Sequence, residues 1–119
     1  MTLRECYESL GADFDKAVVR MCNKESMLAK FALKFPNDPT YDALVTAFDG
    51  GDMQTAFRMA HTLKGLCLNL GLEKLRVSSS ELTEALRNYD SPAPNAPELY
   101  ETVKADYKAT IEALNSVEV

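Results

Sequence analysis

The sequence predicts an all-α protein, an antiparallel four-helix bundle with additional short N-terminal helices. Three observations predict it. Apolar residues recur at spacings of 3 and 4 through most of the chain. No run alternates apolar and polar residues over a strand's length between turn signals, and β-branched residues are sparse. Gly, Pro and capping residues cut the chain into helix-length pieces with short connections. Long helices with one apolar stripe each bury those stripes against one another, which gives a bundle. With 119 residues the chain is one domain, its core spanning about residues 13–115, and it should bury roughly two-thirds of its extended surface.

The elements follow in order. Thr2 with Glu5 three residues on is a capping-box signature, and Leu3, Cys6, Tyr7 and Leu10 then share a face. Gly11 is a natural stop. Asp13 caps a second helix that carries Phe14, Val18 and Met21 inward, and Asn23 breaks it. A third helix carries Leu28, Phe31 and Phe35 inward and ends before Pro36. Pro36 to Pro39 is a turn. Tyr41, Leu44, Val45 and Phe48 form the next face, closed by Gly50-Gly51, and Asp52 is an N-cap. Met53 to about Leu70 reads as one long helix ended or bent by Asn69 or Gly71. Leu72, Leu75, Leu82, Leu86 and Tyr89 recur at helical spacing and mark a second long helix. Asp90 to Pro97 holds three prolines and is irregular. Asn95 with Glu98 resembles another capping box, before a last helix lined by Leu99, Val103, Tyr107, Thr110, Ile111 and Leu114.

Composition narrows the function. Thirteen Lys and Arg against eighteen Asp and Glu give a net charge of −5. That sign disfavours phosphate backbones and anionic lipid, so neither a nucleic acid nor a membrane is expected as partner. No stretch approaches the roughly 20 apolar residues of a membrane span. The charged N-terminus does not read as a signal peptide, so a cytoplasmic location is expected. Cys6, Cys22 and Cys67 are too far apart for a zinc site or a disulfide framework, and read as small core residues in a reducing compartment.

The single histidine, His61, carries the chemistry. On a helical wheel Ala56, Met59, Leu63, Leu66 and Leu70 cluster as the core stripe of the Met53–Leu70 helix, with Ala60 and Cys67 at its edge. His61 falls almost opposite the stripe's centre, in mid-helix and facing out. Phe57 and Leu68 flank it on one side with Lys64 beyond, and Gly65 and Arg58 on the other. A surface histidine with a solvated lysine is the plain reading. Gly65 weighs against it, because an interior helical glycine costs about 1 kcal/mol relative to Ala. A bare surface that lets another molecule approach would offset that cost, as would a neighbouring helix packed there. Phe57 and Leu68 straddling the imidazole suggest a docking patch. Neutral imidazole is a nucleophile near pH 7. No glycine-rich phosphate loop is present. An exposed histidine beside a cation can nevertheless accept a phosphoryl group if a partner supplies donor and metal.

The run AHTLKGLCLNLGLEKL, Ala60 to Leu75, resembles the histidine-containing phosphotransfer (HPt) domain of two-component phosphorelays, with His61, Lys64, Gly65, Asn69, Leu70, Gly71 and Leu75 in register. The likeness extends upstream through FDGGDMQTAFRM and the NKESMLAKFALKF helix, and downstream through SSELTEALRN. It implies a four-helix bundle with an exposed imidazole midway along one helix. It implies a phosphorelay intermediate that takes a phosphoryl group from a receiver-domain aspartyl phosphate and passes it to another receiver aspartate. His61 would be the phosphoacceptor, Lys64 would stabilise the phosphate, and Gly65 would leave room for it. Phe57, Arg58 and Leu68 are the expected partner contacts. Some relatives carry a glutamine on the next helix near the phosphate; Thr83 stands at about that place, with Arg87 one turn further, and both are taken as partner-binding. Many relatives carry small or polar residues where this chain has Leu66, Cys67 and Leu68.

The partners implied are receiver domains of hybrid histidine kinases and response regulators. No cofactor is expected on this chain, and magnesium is expected on the partner receiver. The protein is expected to be a monomeric phosphotransfer carrier rather than an enzyme. The alternatives are an interaction module that binds receivers without accepting phosphate, an enzyme using His61 as general base in a pocket, and a fragment of a kinase. The initial Met and capped first helix favour a free-standing protein.

Overall fold

A computed structural model describes residues 1–118, and the described residues form only helices, turns and connections. Three short helices come first: α1 (Leu3–Ser9), α2 (Phe14–Arg20) and α3 (Glu25–Ala32). A 3-10 turn at Phe35–Asn37 leads into α4 (Thr40–Asp49), followed by α5 (Met53–Leu70), α6 (Glu73–Ala85) and α7 (Ala96–Asn115). The last four are the bundle, packed α4 on α5, α5 on α6 and α6 on α7 in antiparallel succession. Stacked aromatics bring α7 back to α4. The Tyr41 and Tyr107 rings lie 3.6 Å apart and those of Phe48 and Tyr100 3.9 Å apart. The Tyr100 hydroxyl donates to Asp49 at 3.0 Å.

The helix ends follow the local chemistry. Thr2 and Glu5 form the reciprocal capping box, Asp13 accepts from the Lys16 amide, and Asp52 accepts from the Thr55 amide. Gly71 ends α5 in the left-handed conformation at φ +70°. A Cβ there would also sit 2.7 Å from Ala17 Cβ, so α2 can approach the end of α5 only because residue 71 has no side chain. The same corner is pinned by the buried Tyr7 hydroxyl, which donates to the Leu70 carbonyl at 2.6 Å.

One core runs through the molecule, with Leu28, Leu44, Leu63, Leu75, Leu82, Leu86 and Val103 fully enclosed. Burying each such side chain favours folding by about 1.5–3 kcal/mol. The buried hydroxyls of Ser79, Thr83 and Thr110 donate to main-chain carbonyls one turn earlier, so they cost little desolvation.

Several expectations need correction. Phe31 is 45% exposed, because α3 buries the Leu28–Ala32 line and Phe31 lies off it. Phe35 is buried, but from the 3-10 turn rather than from α3, against the Tyr107 ring. α6 stops at Ala85, so Tyr89 lies beyond it and is exposed. The proline loop folds back there, and the Ala93 amide donates to the Ala85 carbonyl at 2.9 Å. Asn95 precedes α7 without a side-chain cap bond, and Pro97 lies inside the first turn, where its missing amide costs nothing. Cys6 and Cys67 are buried, but Cys22 is exposed at φ +55° in the turn after α2.

Candidate functional site

α5 places His61 near the middle of its 18 residues, with its imidazole exposed. The face that α5 buries is Ala56, Ala60, Leu63, Cys67 and Leu70, while Met59 and Leu66 are only half-buried. The true stripe is therefore rotated toward the small residues. Neighbouring helices come closest where the side chains are short, and Ala60 and Cys67 sit on that line. The rotation brings Phe57 and Lys64 nearer the core than the wheel suggests, while Leu68 stays exposed.

Phe57, expected on the outward face, is half-buried and packs against the core. Its ring lies 6.5 Å from the imidazole of His61 with the planes 26° apart. On its other side it meets the Tyr89 ring at 6.4 Å, and the Arg87 guanidinium sits over it, 5.5 Å from its centroid. Phe57 thus joins α5 to the end of α6 beneath one flank of His61.

Arg87 is held from two directions. Besides Phe57, its Nε and Nη2 donate to the two carboxylate oxygens of Glu84 at 3.0 and 2.7 Å. The hydrogen bond from Arg87 holds the Glu84 carboxyl below its usual range, helped by the charges of Arg87, Lys64 and His61. Glu84 therefore anchors the guanidinium that lies over Phe57, although the sequence patterns do not single it out. Lys64, one turn along α5 from His61, is half-buried.

Thr83 does not belong to this surface. It is fully buried, and its hydroxyl donates inward to the Ser79 carbonyl at 2.7 Å, so it is closed to a partner. Glu84 at the end of α6 and Arg87 just beyond it face outward instead, and Arg87 reaches the Phe57 ring.

Gly65 has helical backbone, and a Cβ built on it would meet nothing within 4 Å. No neighbouring helix needs the glycine, so the close-packing explanation fails. Leu68 is 42% exposed. Arg58 is exposed and donates to the Thr55 hydroxyl at 3.2 Å, while Thr62 donates to the Arg58 carbonyl. The resulting surface is an imidazole with bare backbone on one side and an aromatic, cationic flank on the other. An apolar groove lies elsewhere, between α3 and the C-terminal half of α5, lined by Phe31, Phe35, Leu66 and Leu70.

A family model described as the Hpt domain matches residues 37–116, well over half of the chain. The chain belongs to the Hpt domain family. Histidine phosphotransfer in phosphorelays is the general role of Hpt domains, and receiver domains of two-component systems are their partners as a class. The matched segment contains α4 to α7 entire, with His61, Lys64 and Gly65 inside it. The expected likeness of the NKESMLAKFALKF helix falls outside the match; that helix, α3, packs on α5. No curated protein and no solved structure gives a significant match. Among the described residues no helix is long and apolar enough to cross a membrane.

Proposed function

We propose that this Hpt domain is a phosphorelay intermediate whose phosphoacceptor is His61. One observation carries the reading: the chain's sole histidine stands exposed in mid-helix, inside the Hpt-matched segment. A neutral imidazole nitrogen forms the N–P bond with its lone pair. The acyl-phosphate P–O bond of a receiver breaks, and the receiver aspartate leaves as a carboxylate with that electron pair. Onward transfer is the same exchange with a second receiver aspartate as nucleophile. The chain carries no glycine-rich phosphate loop of its own, so donor and magnesium come with the receiver.

Lys64 offers an ammonium to the incoming phosphoryl charge, and Gly65 keeps the approach open. Phe57, Leu68, Arg58 and Arg87 form the surface a receiver meets. A cytoplasmic carrier acting between hybrid kinases and response regulators fits this arrangement. The test is transfer from 32P-labelled phosphorylated receivers to the wild-type chain and to His61→Gln. Label on the wild type alone supports the reading. Stable receiver binding with no label on either would favour a pure interaction module.

A further inference from the structure

We propose that Glu84 sets how tightly His61 holds its phosphoryl group, acting as an internal competitor for the Arg87 guanidinium that would otherwise help secure it. The inference rests on His61 being the phosphoacceptor. Glu84 is a positioning residue here, because it acts through Arg87 and touches no reacting atom.

The geometry supplies the reasoning. Arg87 lies over Phe57, and Phe57 stacks toward the imidazole of His61, so the guanidinium is kept on the histidine's flank. Both carboxylate oxygens of Glu84 already occupy its donors. Lys64 forms no ion pair within 4 Å among the described residues, so Arg87 is the cation that Glu84 holds. A phosphoryl group arriving on His61 brings about two negative charges. To be paired with Arg87 it must draw the guanidinium away from Glu84, whose two oxygens already hold it. That competition weakens the phosphorylated state relative to the free one. A carrier benefits from such weakening, since a phosphoryl group held too firmly is not passed on. Thr83, buried and turned inward, offers no hydrogen bond to offset it.

The prediction has a sign that a structural role would not produce. Glu84→Gln should raise the equilibrium loading of His61 from a phosphorylated receiver and lengthen the phosphohistidine lifetime by about two- to five-fold, the scale of an exposed charge pair. Arg87→Ala should shift both in the opposite direction. Glu84→Asp should restore values close to wild type. The Glu84→Gln effect should shrink toward unity in 1 M salt, where charges more than about 3 Å apart are screened. The experiment loads each full-length variant with phosphoramidate and with a 32P-labelled receiver, then follows the phosphohistidine by 31P NMR and by label retention, with thermal melts alongside. Unchanged or reduced loading in a folded Glu84→Gln protein overturns the inference while leaving His61 as acceptor. Failure of the wild type to accept phosphate from either donor overturns the functional reading, and this inference with it.

Discussion

Replacing Gly65 with glutamine separates two properties that usually move together. The position has ordinary helical backbone in the interior of α5, and a Cβ there meets no atom of a neighbouring element within 4 Å. Glutamine should therefore recover helix propensity, about 0.5–1 kcal/mol relative to glycine. For a chain of this length that corresponds to a rise in Tm of about 2–4 °C. Residue 65 is also one turn from His61, and Cβ atoms at that spacing lie about 5–6 Å apart. The introduced amide would stand beside the imidazole and obstruct a receiver. Stability should rise while phosphotransfer falls at least several-fold. Circular-dichroism melts and receiver-transfer rates on the same protein read both quantities. A lower Tm would show that Gly65 is needed for packing. A higher Tm with unchanged transfer would show that the open face is not the approach route.

Phe57→Ala should cost about 1–2 kcal/mol, less than a fully buried Phe but well above a surface residue, and lower Tm by about 4–8 °C; it should also weaken receiver binding, and a melt unchanged within a degree would contradict its contact with the core. Burial pushes the Cys67 thiol up to about 12 and the Tyr107 hydroxyl up to about 12, and raises Tyr7 as well. The folded state thus keeps these protons longer than the unfolded one. Their stabilising effect is full below the ordinary thiol value near 9 and is lost as pH climbs toward 12. Tm should fall across that window, less steeply in Cys67→Ala, and a flat profile would refute the burial argument.

The sequence makes the bundle legible where one local signal decides an element. Asp52 and Gly71 bound α5 because a carboxylate cap and a left-handed stop are each single-residue chemistry. His61 is legible for the same reason, since its distance from any apolar stripe needs only the wheel. What the wheel misreads depends on neighbours. It centres the stripe on Met59 and Leu66 with Ala60 and Cys67 at its edge, whereas the packed helix buries Ala60 and Cys67 and leaves Met59 and Leu66 half-buried. That rotation turns Phe57 from a surface residue into a half-buried one. Thr83, expected at the surface, turns inward while Glu84 beside it faces out, because one residue along α6 is a 100° turn. Tyr89 leaves the helix because a proline loop captures the Ala85 carbonyl, a tertiary hydrogen bond with no sequence signature. Phe31 projects outward because α3 is too short to bury more than one narrow line.

The most direct test of the account is the site of phosphorylation. The wild-type protein and His61→Gln are incubated with a panel of 32P-phosphorylated receivers, and melts are recorded for both. The account predicts acid-labile, base-stable label on the wild type, discharged by a second receiver. It predicts no label on His61→Gln and a Tm within about 2 °C of wild type, because an exposed side chain contributes little packing. Label retained by His61→Gln, or no label on the wild type from any receiver that binds it, would contradict the central claim.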